Sequence, residues 1–303
     1  MALRPRTRTL RSPEPIDLRL TLGPLQRGPA DPCMRFTATG VWRATRTPQG
    51  PVTTQLGMDD GAVTMRAWGP GAEWAVDKLP ALVGADDDVG AFVPRDPIVA
   101  ELHRRLKGLR IGRSGAVTEA LVPTIIEQKV VGIDAKRAYA RMVRAFGEPA
   151  PAAPVGLTLP PEPARLANTP SWAFHRFNIE RRRADTVRRA CSYAPRMEEV
   201  AGMDAAAAYR RLTALPGIGP WTAAEVAGVA LGDADAVSVR DYHLPHQVAF
   251  ALAGENRGDD ARMLELLEPY RGQRARVIRL VVYGAPSPPR FGPRMPLRSI
   301  ATI

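Results

Sequence analysis

The chain has 303 residues, which is enough to bury more than one hydrophobic core, and we expect two or three subdomains. No apolar run approaches the ~20 residues that span a bilayer, and the N-terminus has no apolar signal segment, which excludes membrane-spanning helices and predicts a cytoplasmic protein. Its two cysteines, Cys33 and Cys191, are far apart and match no disulfide or metal pattern. The net charge of +11 favours a polyanionic partner such as nucleic acid, although the excess of Arg over Lys also fits a bias in nucleotide composition.

The first third of the chain carries two kinds of pattern. Residues 1–15 are rich in Arg and Pro, which predicts a disordered basic N-terminus. Residues 16–93 are predicted to form an antiparallel β subdomain, because apolar and polar side chains alternate with period two at 16–22, 34–38 and 63–67. A helix predicted over 71–83 could cover one face of this sheet.

Helical patterns follow from residue 94 to residue 284. A Pro- and Ala-rich stretch at 148–163 is predicted to be a surface loop, and residues 285–303 form a basic, Pro-rich tail that we expect to be extended. The predicted fold class is α+β, with the sheet first and the helices after it. One helix is predicted to begin at Pro97, with Asp96 as its N-cap. Further helices are predicted over 116–129, 134–146 and about 273–283.

The most specific local pattern is Leu-Pro-Gly-Ile-Gly-Pro-Trp-Thr-Ala at 215–223. A helix is predicted before it, over 204–213, and a second helix after it, from about 221 to 231. Gly217 and Gly219 can adopt positive φ angles between the two helices. The result is a helix–hairpin–helix whose backbone amides point outward, which suits an anion such as a DNA phosphate. The alternative is an ordinary corner between two helices that contains two glycines.

One carboxylate follows this motif at a fixed distance, since Asp241 lies twenty positions after Trp221. A carboxylate beside a phosphate-binding hairpin is suited to stabilise the positive charge that develops on a sugar when an N-glycosidic bond breaks. Such an enzyme must first flip the target base out of the duplex. Asp241 could instead be the N-cap of a helix that begins near Tyr242, and the two roles are compatible.

Together these features resemble the helix–hairpin–helix superfamily of DNA glycosylases, and within it the DNA-3-methyladenine glycosylase II type. The resemblance covers about residues 16–283 and implies an all-helical, two-lobed body behind the β subdomain. It rests on the hairpin with Trp221, on Asp241-Tyr242, and on Ile125-Ile126-Glu127-Gln128.

The resemblance implies a role for each matching residue. Asp241 matches the catalytic aspartate, and Trp221 matches an aromatic wall of the base pocket. Gln128 and Lys129 match the loop that fills the gap left by a flipped nucleotide. The residues that match the phosphate-binding hairpin, and are predicted to bind DNA, are Leu215, Gly217, Ile218, Gly219 and Thr222.

Three positions depart from the best-known relative. The wedge position holds Lys129 rather than an apolar residue, and Glu225 stands one helical turn after Trp221 in place of an aromatic. A second pocket Trp near the C-terminus has no counterpart, because the candidate positions hold Arg279 and Val282. We assign Glu225 to the base pocket, where it would add negative potential; the alternative is a solvated or salt-bridged side chain.

The resemblance implies a monofunctional DNA glycosylase of base excision repair that removes alkylated purines such as 3-methyladenine and leaves an abasic site. Trp221 stands where relatives with lyase activity carry a Schiff-base lysine, and residues 137–303 contain no lysine. The implied partner is damaged double-stranded DNA, bound by a monomer. No cofactor and no iron–sulfur cluster is expected, with room for a monovalent or divalent cation at the hairpin phosphate clamp.

Two other functions stay open at this stage. The chain could be a non-catalytic DNA-binding protein that uses the hairpin to recognise damage, provided that Asp241 does not face the DNA. It could also be a glycosylase for a deaminated or oxidised base, since Lys129 and Glu225 depart from the relative's pattern.

Overall fold

Five antiparallel strands form an N-terminal sheet in the order β1-β5-β4-β3-β2, which confirms the α+β class. The computed structural model describes residues 4–152 and 156–289 of the chain. The inner face of the sheet, with Val52, Leu56 and Met65 fully buried, packs against the short helices before and after it. The strands are β1 (Arg6–Arg11), β2 (Met34–Thr37), β3 (Gly40–Thr47), β4 (Gly50–Asp59) and β5 (Ala62–Trp68).

The prediction of a disordered N-terminus is wrong for residues 6–11, and residues 1–3 lie outside the described residues. Arg6–Arg11 form the edge strand β1, which pairs with β5 along its whole length. The side chain of Arg8 also donates a hydrogen bond to the carbonyl of Val76, at 3.0 Å. The basic composition was misleading because backbone pairing, which requires no apolar side chains, holds this strand.

The prediction of a strand over residues 16–22 is also wrong, because this segment is the helix α1 (Leu18–Leu22). The Asp17 carboxylate accepts hydrogen bonds from the amides of Arg19 and Leu20, at 2.8 and 2.9 Å. This is an N-cap, and it directs so short a segment into a helix despite its alternating pattern.

The remaining helices follow the sheet, and most of the predicted ones are present. The helix expected over 71–83 is divided at Lys78, just before a proline. The α-helices are α2 (Ala72–Asp77), α3 (Leu79–Leu82), α4 (Pro97–Arg105), α5 (Val117–Glu127), α6 (Gly132–Phe146), α7 (Pro163–Asn168), α8 (Arg181–Ser192), α9 (Ala194–Glu198), α10 (Ala205–Thr213), α11 (Pro220–Val226), α12 (Leu244–Ala253), α13 (Asp260–Leu267) and α14 (Arg274–Gly284). Short 3₁₀ turns cover Gly23–Leu25, Ser171–Phe177, Glu199–Gly202 and Glu268–Tyr270, and a π-helical turn over Ala227–Leu231 extends α11.

The helical part of the chain has two lobes with separate apolar cores. The first lobe, formed by α5 to α11, packs around residues such as Ile125 and Val187. The second lobe combines α4 with α12, α13 and α14 around residues such as Leu102 and Val248. The chain therefore enters the second lobe, builds the first, and returns to the second after the hairpin.

The stretch 148–163 is not the surface loop that we predicted. Leu157 and Leu159 are buried against Trp42 at the sheet. A backbone hydrogen bond joins Leu159 N to the carbonyl of Glu148 at 2.8 Å, beside an isolated antiparallel bridge between Pro149 and Thr158. The Pro- and Ala-rich composition of this stretch hid two leucines that are spaced for one face of an extended chain.

The tail predicted to be extended, 285–303, lies outside the described residues from residue 290 onward. Within the described ranges, the helices are all too short or too polar to cross a membrane.

Candidate functional site

The predicted helix–hairpin–helix is present, and its turn is tight. The Asp204 carboxylate accepts the amide of Ala207 at 2.8 Å and starts α10, while Pro220 occupies the first position of α11. Gly217 has a φ of +97°, which favours glycine. A Cβ on Gly217 would also lie 2.7 Å from Oγ1 of Thr186 on α8, so both backbone angle and packing require glycine here.

Gly219 is glycine for a different reason. Its φ of −101° is ordinary, so the positive angle that we considered for it is absent. A Cβ built on Gly219 would meet nothing within 4 Å, because this residue faces open space before α11. The first amides of a helix lack intrahelical acceptors, and the bare backbone of Gly219 leaves an anion free access to them.

The side chains of the hairpin point mostly inward. Leu215, Ile218 and Thr222 are each less than a tenth exposed. Gln128 joins this turn to the end of α5, because its Nε2 donates to the Gly217 carbonyl and to the Thr222 hydroxyl, both at 2.9 Å. These three side chains therefore hold the shape of the hairpin and do not present themselves to a ligand.

The loop after α5 presents one residue to solvent. Lys129 is exposed and has a φ of +55°, a strained angle for a side chain with a Cβ. The loop is held by Gln128 on one side and by Arg183 of α8, whose Nη1 donates to the Ile126 carbonyl at 2.8 Å. Lys129 is therefore an exposed residue on a loop that Gln128 joins to the hairpin.

Asp241 lies just before α12, and its two carboxylate oxygens have different partners. Its Oδ1 accepts the amides of His243 and Leu244, at 2.8 and 2.9 Å, and so caps the start of α12. Its Oδ2 accepts a hydrogen bond from Nε1 of Trp221 at 3.0 Å. Three N–H groups therefore fix the orientation of a half-buried carboxylate beside the first turn of α11.

Glu225 is half-buried, its carboxylate accepts a hydrogen bond from the hydroxyl of Ser238, and none of the ion pairs among the described residues includes it. Burial raises the pKa of Glu225, and the nearby carboxylates of Glu127 and Asp241 raise it further. The Ser238 hydrogen bond and the charge of Arg27 act in the opposite direction. Glu225 is therefore a desolvated acid that lies within electrostatic reach of Asp241.

The position that lacks a second Trp is occupied by Arg279. Its Nη2 donates to the carbonyl of Gly228 at 2.6 Å, next to the π-helical turn. Burial lowers the pKa of Arg279, while Tyr283 and Glu225 raise it. Val282, the other candidate, is 51% exposed and points away from the core.

The described residues contain no cluster of three His, Cys, Asp or Glu side chains that could hold a metal ion. Cys33 and Cys191 are both buried and free. Burial raises the pKa of Cys191 to about 12 and that of Cys33 as well, so neither is a reactive thiolate.

No protein-family model and no curated protein sequence matches this chain, so its relatives are found through the fold. A 3-methyladenine DNA-glycosylase from Archaeoglobus fulgidus superposes with a TM-score of 0.76 at 20% sequence identity, over 91% of this chain and 98% of that chain. An 8-oxoguanine glycosylase/lyase from Clostridium acetobutylicum, bound to double-stranded DNA, has a TM-score of 0.71 at 14% identity, over 94% of this chain and 98% of that chain.

This chain has the helix–hairpin–helix DNA glycosylase fold. A third glycosylase, the 3-methyladenine DNA glycosylase Mag1 from Schizosaccharomyces pombe, superposes less completely, with a TM-score of 0.51 at 17% identity over 62% of this chain and 91% of that chain. The sheet and both helical lobes are therefore shared with glycosylases that differ in their named substrates.

Within this glycosylase fold, the predicted residues fall in one region, around the hairpin and the start of α12. Sequence reasoning missed three contributors to it: Arg27, Ser238 and Thr186. Arg27 forms an ion pair with Glu127 at 3.6 Å, although the two are a hundred positions apart. No local pattern marks such residues, because their partners are brought to them only by folding.

Proposed function

We propose that this protein is a monofunctional DNA glycosylase that removes alkylated purines, such as 3-methyladenine, in base excision repair. The observation that carries the proposal is the carboxylate of Asp241, held 3.0 Å from the indole nitrogen of Trp221 at the start of the helix that the hairpin opens. Stabilising the start of α12 needs only Oδ1 of Asp241, so the charge at Oδ2 beside the hairpin helix is available for chemistry.

The proposed reaction breaks the bond between C1′ of the sugar and the nitrogen of a flipped base. The electron pair of that bond leaves with the base, and positive charge develops on the sugar. Asp241 stabilises this charge and orients the attacking water, because Oδ2 retains a lone pair beyond the one that accepts Trp221. The water oxygen bonds to C1′, its proton passes to the carboxylate, and an abasic sugar remains.

The substrate class is proposed from the residues around this carboxylate. An alkylated purine with a positive charge is a good leaving group, because it departs as a neutral base. The Trp221 ring offers such a base a cation–π contact. Glu225, one turn further along α11, adds a second carboxyl to this region and favours a cationic base over a neutral one.

The remaining parts of the proposal concern binding and cofactors. Double-stranded DNA would bind through the hairpin amides and Lys129, to a monomer in the cytoplasm. We propose that no cofactor takes part in the reaction. A monovalent or divalent cation at the clamp would bind hairpin carbonyls, of which those of Pro216 and Gly217 already accept hydrogen bonds from Arg189 and Gln128 and keep one lone pair each.

An excision assay tests this proposal. Duplexes carrying 3-methyladenine, 7-methylguanine, hypoxanthine, uracil or 8-oxoguanine are incubated with the protein, and released bases are quantified by chromatography. We expect release of the two methylated purines. If only uncharged bases are released, the substrates are deaminated or oxidised bases and not alkylated purines. If the protein binds the duplexes but releases no base, a non-catalytic DNA-binding protein is favoured.

A further inference from the structure

Helix α8 carries two arginine faces that differ in what neutralises them. Asp185 lies 3.7 Å from Arg181 and 3.5 Å from Arg188, so a carboxylate balances one face. Arg182 and Arg189 lie on the adjacent face, and within the described ranges no ion pair joins either of them to a carboxylate. Positive charge on α8 is therefore concentrated on the face of Arg182 and Arg189.

This unbalanced face adjoins the hairpin. Nη1 of Arg189 donates to the carbonyl of Pro216 at 2.9 Å. Thr186 packs against Gly217, and its hydroxyl donates to the carbonyl of Arg182 at 2.9 Å. Arg182, Thr186 and Arg189 are spaced by four and three residues, which places them in one row along the helix. The two arginines therefore flank the point where α8 touches the hairpin.

We propose that this face of α8 is a second phosphate-binding element, in which Arg182 and Arg189 contact phosphates of the DNA strand that the hairpin amides hold. The inference rests on the duplex binding in the proposed function, and it does not require excision. A guanidinium has five N–H donors, so Arg189 can bind a phosphate while it keeps Pro216.

The spacing of the two arginines fits separate phosphates. Seven residues of α-helix extend about 10.5 Å, and one DNA strand advances about 3.4 Å per nucleotide along its axis, so Arg182 and Arg189 are far enough apart to contact different phosphates. Each arginine should therefore release its own counterions on binding. Arg181, which already has Asp185 as a partner, should contribute less.

The salt dependence of binding to an undamaged, fluorescein-labelled duplex tests this inference. Arg182→Gln and Arg189→Gln remove the charge but keep side-chain N–H donors, so the Pro216 carbonyl retains a partner. Each substitution should make the slope of log Kobs against log[salt] shallower by about 0.9. The fold-loss of affinity between about 50 and 200 mM salt should then be about 3.5 times smaller than that of the wild type. Arg181→Gln, on the same helix, is the matched control and should keep nearly the wild-type slope.

Unchanged slopes for Arg182→Gln and Arg189→Gln, or an equal change for Arg181→Gln, would overturn the inference. Thermal denaturation of each variant establishes that it is folded. Base release at saturating protein is measured in parallel. Altered slopes without any base release would leave this inference standing and reject the glycosylase proposal, whereas base release with unaltered slopes would do the reverse.

Discussion

At the scale of single residues, Asp241 joins stability and proposed chemistry in one side chain. One carboxylate oxygen caps α12 through the amides of His243 and Leu244, and the other accepts the indole N–H of Trp221. The cap orients the carboxylate before any substrate binds, which is the preorganisation that electrostatic stabilisation of a transition state requires. A substitution at this position therefore has to be judged on both stability and activity.

Asp241→Asn should reduce base release by about 10²–10³-fold, because the charge that stabilises the sugar cation is lost. The Asn carbonyl can still accept the two capping amides, but its NH₂ then faces the N–H of Trp221. We therefore expect the free energy of unfolding to fall by only about 1 kcal/mol. Single-turnover excision kinetics and urea denaturation measure the two effects.

Trp221→Phe is the control for this substitution, since it removes the indole donor and leaves the charge of Asp241 in place. We expect it to retain excision within about tenfold of the wild type, because an aromatic face remains for the base. A loss as large as that of Asp241→Asn would assign the effect to the hydrogen bond between Trp221 and Asp241 instead of the charge.

Glu225→Gln should change how stability depends on pH. Burial raises the folded-state pKa of Glu225 above its usual 4.5, so the protonated side chain stabilises the fold below that value, and this stabilisation is lost as pH rises through the folded-state pKa. The variant has no such loss. As pH rises above 4.5, the melting temperature of the variant should therefore increase relative to that of the wild type, and a difference that stays constant with pH would mean that the folded-state pKa of Glu225 is not raised.

Glu225→Gln should also change the choice of base. At a pH above the folded-state pKa of Glu225, where its carboxylate is charged, loss of this charge near a cationic base should cost on the order of tenfold in the release of that base, whereas a neutral base is affected little. The ratio of 7-methylguanine release to hypoxanthine release measures this effect, because it cancels any general loss of activity. An unchanged ratio would remove Glu225 from the specificity of the pocket.

At the scale of elements, the proposed DNA-binding surface consists of three segments that contact one another. Gln128 joins the loop after α5 to the hairpin, and Arg183 of α8 holds the same loop from the other side. Thr186 of α8 packs against Gly217 in the hairpin turn. The position of the phosphate-binding backbone is therefore set by α5 and α8, and not by the hairpin alone.

Gly217→Ala and Gly219→Ala separate two uses of glycine in this hairpin. At Gly217 an added Cβ meets Thr186 and the φ is +97°, so we expect the free energy of unfolding to fall by about 2–4 kcal/mol. At Gly219 the space is open and the φ is −101°, so the loss should be about 1 kcal/mol or less. Urea denaturation distinguishes them, and equal losses would contradict the packing described for Gly217.

At the scale of the whole molecule, the candidate site lies where the two helical lobes meet. Trp221 is on α11 of the first lobe, and Asp241 starts α12, which packs in the second lobe. The hydrogen bond between them therefore joins two elements that have separate cores. A flipped base would be held between lobes, where its surroundings come from both.

Absence of lyase activity is the prediction that belongs to this scale, because it depends on where the lysines are. Lys129 is the lysine on the loop beside the hairpin, and the resemblance to the superfamily implies that Trp221 occupies the position of the lysine in its lyases. We expect an abasic product without strand cleavage, and no covalent trapping on DNA with borohydride. Trapping that disappears in Lys129→Ala would contradict monofunctional hydrolysis and would identify Lys129 as the nucleophile.

The amino-acid sequence by itself determined the features that depend on neighbours along the chain. The hairpin follows from the glycines and prolines at 216–220, and the N-cap of α10 follows from Asp204, because caps and tight turns are local devices. The spacing between Trp221 and Asp241 was also available, and it led to the same carboxylate that the structure places beside the hairpin helix.

Only the tertiary structure decided which distant groups meet. In the folded chain, the basic strand β1 pairs with β5, the Ser238 hydroxyl donates a hydrogen bond to Glu225, and α8 contacts the hairpin. Such contacts depend on how whole helices and strands pack, and a residue pattern carries no record of a partner a hundred positions away. For the same reason, the sequence predicted the hairpin and Asp241, whereas the distant residues around them, which would determine base specificity, are identified only from the folded structure.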